Sequence, residues 1–398
     1  MYKEKIDYLD SLVCRDIRFP MAILVVMLHI PKLPILDKID NTTSISTFSG
    51  LSIYIFLREL IGWIGSIAVP AFFIISGYFF FSSEWTIKTY FSKLRKRFHT
   101  LFVPYLTWIL ISICFTLSFV VGGIVVHGRE WSILSDWFTN NWHFSLFYDF
   151  KKVETEMNLN WLGNMRPIYF PYLQPMWFVR DLICMVIISP IIYHTISKFK
   201  IIAMSILALS YISGIEIPLC GFSSVAIFYF SLGAFLRIHN LQLSSFFQLH
   251  IIKYTSLLIS ITLLPILLYF GNITISYYLQ PLFTMSMTAV AFNIIIYMER
   301  CLNKEDVATI FRKILRLFEA LSNSTFFIYA SHAVFGLYLS DIFINKIIPK
   351  ELLSNNTVAL PFIYILYAIA TIIICWIAYF LTKRILPQSI YNVLTGGR

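Results

Sequence analysis

Residues 254–298, YTSLLISITLLPILLYFGNITISYYLQPLFTMSMTAVAFNIIIYM, contain no Asp, Glu, Lys or Arg. A helix crosses the hydrocarbon of a bilayer with about 20 apolar residues, so this stretch is too long for one crossing. Gly271-Asn272 near its middle reads as the turn between two. Residues 98–128, 217–236 and 352–382 are equally free of charge. A membrane β-strand would alternate apolar and polar positions over about ten residues. These stretches are solidly apolar, so they read as helices.

The rest of the chain agrees. It has 398 residues, of which 58% are hydrophobic and only 13% charged, and its mean hydropathy is +0.75. Soluble domains carry about 25% charged residues. The balance excludes a water-soluble globular enzyme, a disordered chain and a disulfide-stapled secreted domain. Six cysteines (14, 114, 184, 220, 301 and 375) show no CxxC or metal-ligand spacing. They read as small buried apolar residues, and no metal site is expected.

The predicted fold class is therefore all-α: a polytopic transmembrane helical bundle of about ten spans, forming a single integral-membrane domain over 1–398. The spans fall near 14–31, 51–81, 101–124, 175–195, 200–217, 219–238, 252–270, 277–298, 321–344 and 358–382. Tyr2 to Asp16 is polar and mixed in charge, unlike a signal peptide, so the first apolar run is expected to stay as a membrane helix. Gly62, Gly65 and Pro70 interrupt the second span, as is tolerated where a helix lines a cavity.

Orientation follows the basic residues, which favour the cytoplasmic side. With the N-terminus inside, 21 of the 31 Lys and Arg fall on inner segments and 8 on outer ones. Both termini are thus expected in the cytoplasm, in a multi-pass protein of the inner membrane. The net charge of +10 is mostly this topology signal and implies no nucleic acid. Residues 125–174 form a long extracytoplasmic loop with Trp131, Trp137, Trp142 and Trp161. Such aromatics suit a membrane interface or a platform for a sugar.

Ionisable residues inside spans are costly and mark function by default. Here they are Arg18, His29, Arg58, Glu59, Arg180, Asp181 and His332. Arg18 and His29 are eleven residues apart, which places them on one helix face about 16 Å apart along the axis. Lipid-facing placement would be prohibitive for the whole set, so the residues are expected to converge on a polar cavity. At the inner surface, Lys93, Arg95, Lys96 and Arg97 precede Val103-Pro104-Tyr105. The cluster reads either as a positive-inside anchor or as a site for phosphates, which guanidinium groups grip bidentately.

Five motifs in order resemble the membrane acyltransferase type 3 family, bacterial ten-helix enzymes that O-acylate glycans and related acceptors. The basic residue, ten spacers and histidine of that family match Arg18 to His29. Val69-Pro70-Ala71-Phe72-Phe73-Ile74-Ile75-Ser76-Gly77 is similar to its Phe-Phe-x-x-Ser-Gly signature. The basic run with Pro104-Tyr105 resembles its cytoplasmic arginine motif. Trp177-Phe178-Val179-Arg180-Asp181-Leu182 resembles the start of its fourth span. Phe326 to His332 resembles its late-helix histidine segment. One departure is that many members carry a second arginine where Thr100 stands, which leaves Lys93, Arg95 and Lys96 to substitute.

The resemblance implies an acyl-CoA donor, most often acetyl-CoA, and a hydroxyl acceptor on a cell-surface or exported glycan. Lys93, Arg95, Lys96 and Arg97 would hold the CoA phosphates. His29 would be the general base, the usual choice near neutral pH, supported by Arg18. Glu59 or Asp181 would orient it or hold the sugar, and Arg180 or His332 would stabilise the oxyanion. Direct transfer and a transient acyl-histidine both fit. The alternative from another class is a transporter or exporter of a glycan or glycolipid. Transporters often show paired broken helices in inverted repeats, and only span two is clearly broken here.

Overall fold

The computed structural model describes residues 7–31, 50–141, 146–147, 151–152, 158–159, 165–166, 169–217, 219–270, 274–301, 308–349 and 357–397. The Gly271-Asn272 turn, Trp142 and Trp161 lie outside these residues, as do Lys3, Lys5 and several other charges that carried the orientation argument.

In chain order the helices are α1 (Tyr8–Asp16), α2 (Arg18–Leu28), α3 (Gly50–Gly65), α4 (Ala68–Phe80), α5 (Ile87–Arg97), α6 (Val103–His127), α7 (Ser132–Asn141), α8 (Trp177–Ile187) and α9 (Ser189–Ile212). They continue with α10 (Ser224–Ile238), α11 (Leu243–Phe247), α12 (His250–Phe270), α13 (Thr274–Cys301), α14 (Ala308–Ser322), α15 (Thr325–Ser331), α16 (Leu337–Ile347), α17 (Leu360–Ile385) and α18 (Gln388–Thr395). Two π-helical turns, Phe98–Phe102 and His332–Gly336, interrupt this regularity. Four two-residue strands pair as two antiparallel ladders within the long loop. Among the described residues, seven helical runs are long and apolar enough to cross a membrane, and the apolar helix Ser224–Ile238 is shorter.

Prolines explain several breaks between these helices. A proline offers no N–H to the carbonyl four residues back, and its ring crowds that carbonyl. Pro20 does this to Asp16, and α1 gives way to α2 at Ile17. Pro190 does it to Val186, and α8 ends at Ile187 inside the predicted fourth span. The Ser189 hydroxyl donates to the stranded Val186 carbonyl at 2.7 Å. Pro104 does it to Thr100, and the turn Phe98–Phe102 widens to a π-helix. The predicted interruption of span two falls at Ser66–Ile67, where α3 passes into α4. The predicted boundary between spans four and five appears as a kink in α9 at Lys200 (φ 46°).

The chain forms two compact units. The first comprises residues 1–10, 70–246 and 385–398. In it, α4 and α10 cross with their backbones touching. A Cβ on Gly77 would run into the Phe230 carbonyl oxygen, and one on Gly233 into that of Ile74. The same unit buries Asp10, which accepts from the Tyr78 hydroxyl at 2.6 Å and from the Leu243 and Ser244 amides at 2.9 and 2.8 Å. This carboxylate thereby satisfies the first amides of α11.

The second unit comprises residues 11–69 and 247–384. Ile30, Tyr54, Ile344, Leu360, Ile363, Tyr364, Tyr367 and Ala368 form one apolar cluster in it. Phe19, Val26, Ile328 and Cys375 form another, with Phe318 and Leu321 of the amphipathic α14 packed against it.

Candidate active site

The second unit brings two histidines together. His29 caps the end of α2, and His332 opens the π-turn after α15. Their rings meet edge to face, with centroids 5.1 Å apart. π-Turns inside helices occur frequently at functional sites.

The end of α2 shows how His29 is held. The last carbonyls of any helix lack intrahelical partners. Here the Val25 carbonyl accepts from His29 Nδ1 at 2.7 Å, and the Val26 carbonyl from the His29 amide at 3.1 Å. The Met27 carbonyl accepts from the Tyr364 hydroxyl at 3.1 Å. Arg58 Nη1 reaches the Ile30 carbonyl at 3.4 Å, a cation placed at a helix C-terminus where the dipole favours it.

These bonds assign the tautomer. A carbonyl oxygen only accepts, so His29 Nδ1 carries a hydrogen, and in the neutral ring Nε2 carries the lone pair. His332 follows the same rule, with Nδ1 donating to the Tyr329 carbonyl at 2.6 Å. Its Nε2 is buried with no hydrogen-bond partner among the described residues. The two imidazoles therefore each present a basic Nε2. They differ in access: His29 is half-buried, whereas His332 is fully buried.

Among the described residues, His29 Nδ1 donates to the Val25 carbonyl and to no carboxylate. Glu59 itself is exposed. It lies about 140° around α3 from the buried Tyr54. Arg18 starts the same unbroken helix that ends at His29, half-buried, and its guanidinium makes no hydrogen bond or ion pair among the described residues.

Arg180 and Asp181 belong to the first unit and form a closed pair. Arg180 Nε and Nη2 donate to Asp181 Oδ1 at 2.9 and 2.8 Å. The Ser223 hydroxyl donates to Oδ2 at 2.7 Å and accepts from the Ala226 amide, capping α10. Both carboxylate oxygens are thus engaged, and Asp181 ties α8 to the start of α10. A buried pair of this kind is costly to break, because the remaining charge is left uncompensated.

The basic cluster also lies in the first unit, where it separates into two faces. Lys93, Lys96 and Arg97 line a pocket of about 290 Å³ together with Phe79, Phe80, Ser82, Thr100, Gly396 and Gly397. Lys93 Nζ donates to the Phe80 carbonyl. Arg95 is exposed and does not line the pocket. Helical spacing is the reason: Lys96 and Arg97 fall within about 60° of Lys93 around α5, and Arg95 falls about 160° away. Ser82 and the two glycines were not singled out from sequence, and Thr100 was named only as the departure from a second arginine. Pro104 is the signal that marks Thr100, through the carbonyl it strands; no local signal marks Gly397.

Of the interfacial aromatics, Trp131 is 65% exposed and Trp137 packs edge to face on Tyr172. Among the described residues no group of three His, Cys, Asp or Glu is placed to hold a metal.

A family model described as an acyltransferase domain matches residues 17–380, nearly the whole chain. No curated protein and no solved structure matches it.

Proposed function

Since the chain belongs to the acyltransferase 3 family and is an acyltransferase, moving groups other than aminoacyl groups, we propose that it O-acylates a glycan hydroxyl with an acyl group, most simply acetyl, from cytosolic acyl-CoA. The family membership also decides against the transporter reading of the same polar residues. In the proposed reading the chain crosses the inner membrane ten times with both termini in the cytoplasm, as the bias of its basic residues supports.

The observation that carries the reading is the pair of imidazoles 5.1 Å apart, each with Nδ1 committed to a backbone carbonyl. A hydroxyl attacks a thioester well only when a base takes its proton. His29 Nε2 is the accessible lone pair and takes that proton. The hydroxyl oxygen bonds to the acyl carbon, the tetrahedral intermediate collapses, the C–S bond breaks, and the thiolate recovers the proton from His29 to leave as CoA. His332, fully buried, lies 5.1 Å from His29 between ring centroids. Arg18, on the His29 helix and without a partner among the described residues, would bind an anionic part of the donor.

The direct test is acetyl-CoA binding by detergent-purified protein. Absence of binding at millimolar donor removes the donor assignment. Lys96→Ala and Arg97→Ala are each expected to weaken binding about tenfold, the scale of one charge-assisted hydrogen bond. Arg95→Ala is expected to bind as the parent does. Equal affinity for all four proteins would reduce the cluster to a topology anchor.

The orientation has its own test. A cysteine tag at either terminus is expected to resist a membrane-impermeant label in intact cells and to react after permeabilisation. Labelling of either terminus from outside would put the donor site on the wrong side.

A further inference from the structure

The pocket at Lys93, Lys96 and Arg97 has a wall formed by residues far away in sequence. Helix α18 is buried through Tyr391, Leu394 and Thr395, and the Trp108 indole N–H donates to the Leu394 carbonyl at 3.0 Å. Gly396 and Gly397 end this helix with φ of 68° and 70°. The Gly397 amide donates back to the Asn392 carbonyl at 2.7 Å, a Schellman-type closure that needs the left-handed backbone glycine adopts freely.

The closure sets Gly397 against Thr100. A Cβ at position 397 would stand 3.6 Å from Thr100 Cγ2. Thr100 sits in the π-turn, and its hydroxyl oxygen is buried with no hydrogen-bond partner among the described residues. A buried polar atom without a partner is costly. Thr100 is among the residues that line a pocket carrying three cations. Ligand pockets typically run from about 300 to 1,000 Å³. One of about 290 Å³ fits the phosphate-bearing end of a donor and excludes the whole molecule.

We propose that Thr100 and Gly396–Gly397 complete a phosphate subsite: the Thr100 hydroxyl donates to a phosphate oxygen held by Lys93, Lys96 and Arg97, and the absence of a side chain at 397 keeps the space open. This inference rests on the donor reading above and adds residues to it. The departure at Thr100 from a second arginine is then a change of ligand type at the same wall, from a cation to a hydroxyl donor.

The test is CoA titrated into the purified full chain. Thr100→Val keeps the shape and removes the hydroxyl, and it is expected to weaken CoA binding about tenfold. Gly397→Asn and Gly397→Asp are similar in size, and both residue types tolerate positive φ. Only Asp adds negative charge to the pocket. The Asp variant is expected to bind at least tenfold more weakly than the Asn variant, with the gap narrowing as salt rises. The inference is overturned if Thr100→Val binds like the parent, or if the Asp and Asn variants bind alike. If Arg97→Ala still weakens binding in that case, the donor reading stands and only the wall assignment is lost. If the parent itself does not bind CoA, both fall together.

Discussion

His29→Gln is expected to lower transfer from labelled acetyl-CoA to envelope material in membrane vesicles by about 10²- to 10⁴-fold, the usual weight of a general base. Folded yield and CoA affinity should stay at parental values. The Gln amide N–H is able to donate to the Val25 carbonyl that His29 Nδ1 now serves, so the helix end keeps its partner. What Gln lacks is a basic lone pair to take the hydroxyl proton. A structural histidine predicts the reverse, with Gln restoring activity and Ala lowering yield. Transfer by the Gln variant near the parental rate would therefore end the role of His29 as base. His332→Gln is expected to cost less than His29→Gln, because His332 is fully buried whereas His29 is partly accessible. A larger loss at 332 would exchange the two assignments.

The largest expected effect on stability is at Gly77. Gly77→Ala should destabilise the first unit by about 3 kcal/mol or more, at or beyond the usual upper end for overpacking. The atom that a new methyl would meet is a backbone carbonyl of α10. It has no side-chain torsion through which to move aside, so the helices themselves must separate. Gly233→Ala meets α4 in the same way and should behave alike. Gly62→Ala is the control, since a Cβ there has nothing within 4 Å. In a helix interior that exchange should be neutral or stabilising by up to about 1 kcal/mol. Thermal denaturation of the detergent-solubilised proteins, followed by loss of monodisperse protein, reads all three. A Gly77→Ala protein as stable as the Gly62→Ala protein would show that α4 and α10 are not packed backbone to backbone. The Ser76-Gly77 signature then has a packing explanation: its glycine permits a helix crossing and performs no chemistry.

The amino-acid sequence by itself determined the helical class, the membrane setting and the family. Each depends on local composition and spacing: uncharged runs such as 254–298, a basic bias toward one set of loops, and motifs read along single helices. It also placed Arg18 and His29 on one helix face, because eleven residues close nearly whole turns. The family model covering residues 17–380 agrees with the resemblance read from those motifs. Tertiary structure decided what the polar residues touch. Periodicity put His29 on a face, but only the packing of α2 against its neighbours set His332 beside it, at 5.1 Å between rings. Which nitrogen holds the hydrogen followed from carbonyls whose partners depend on how each helix ends. A carboxylate in a span looked equally functional at 59 and 181. In the structure Glu59 is exposed, while Asp181 is locked by Arg180 and Ser223. The wall at Gly397 lay furthest from view in the sequence, since nearly three hundred residues separate it from Thr100. Such a contact comes from the docking of one helix on another, and no local pattern of residues encodes it.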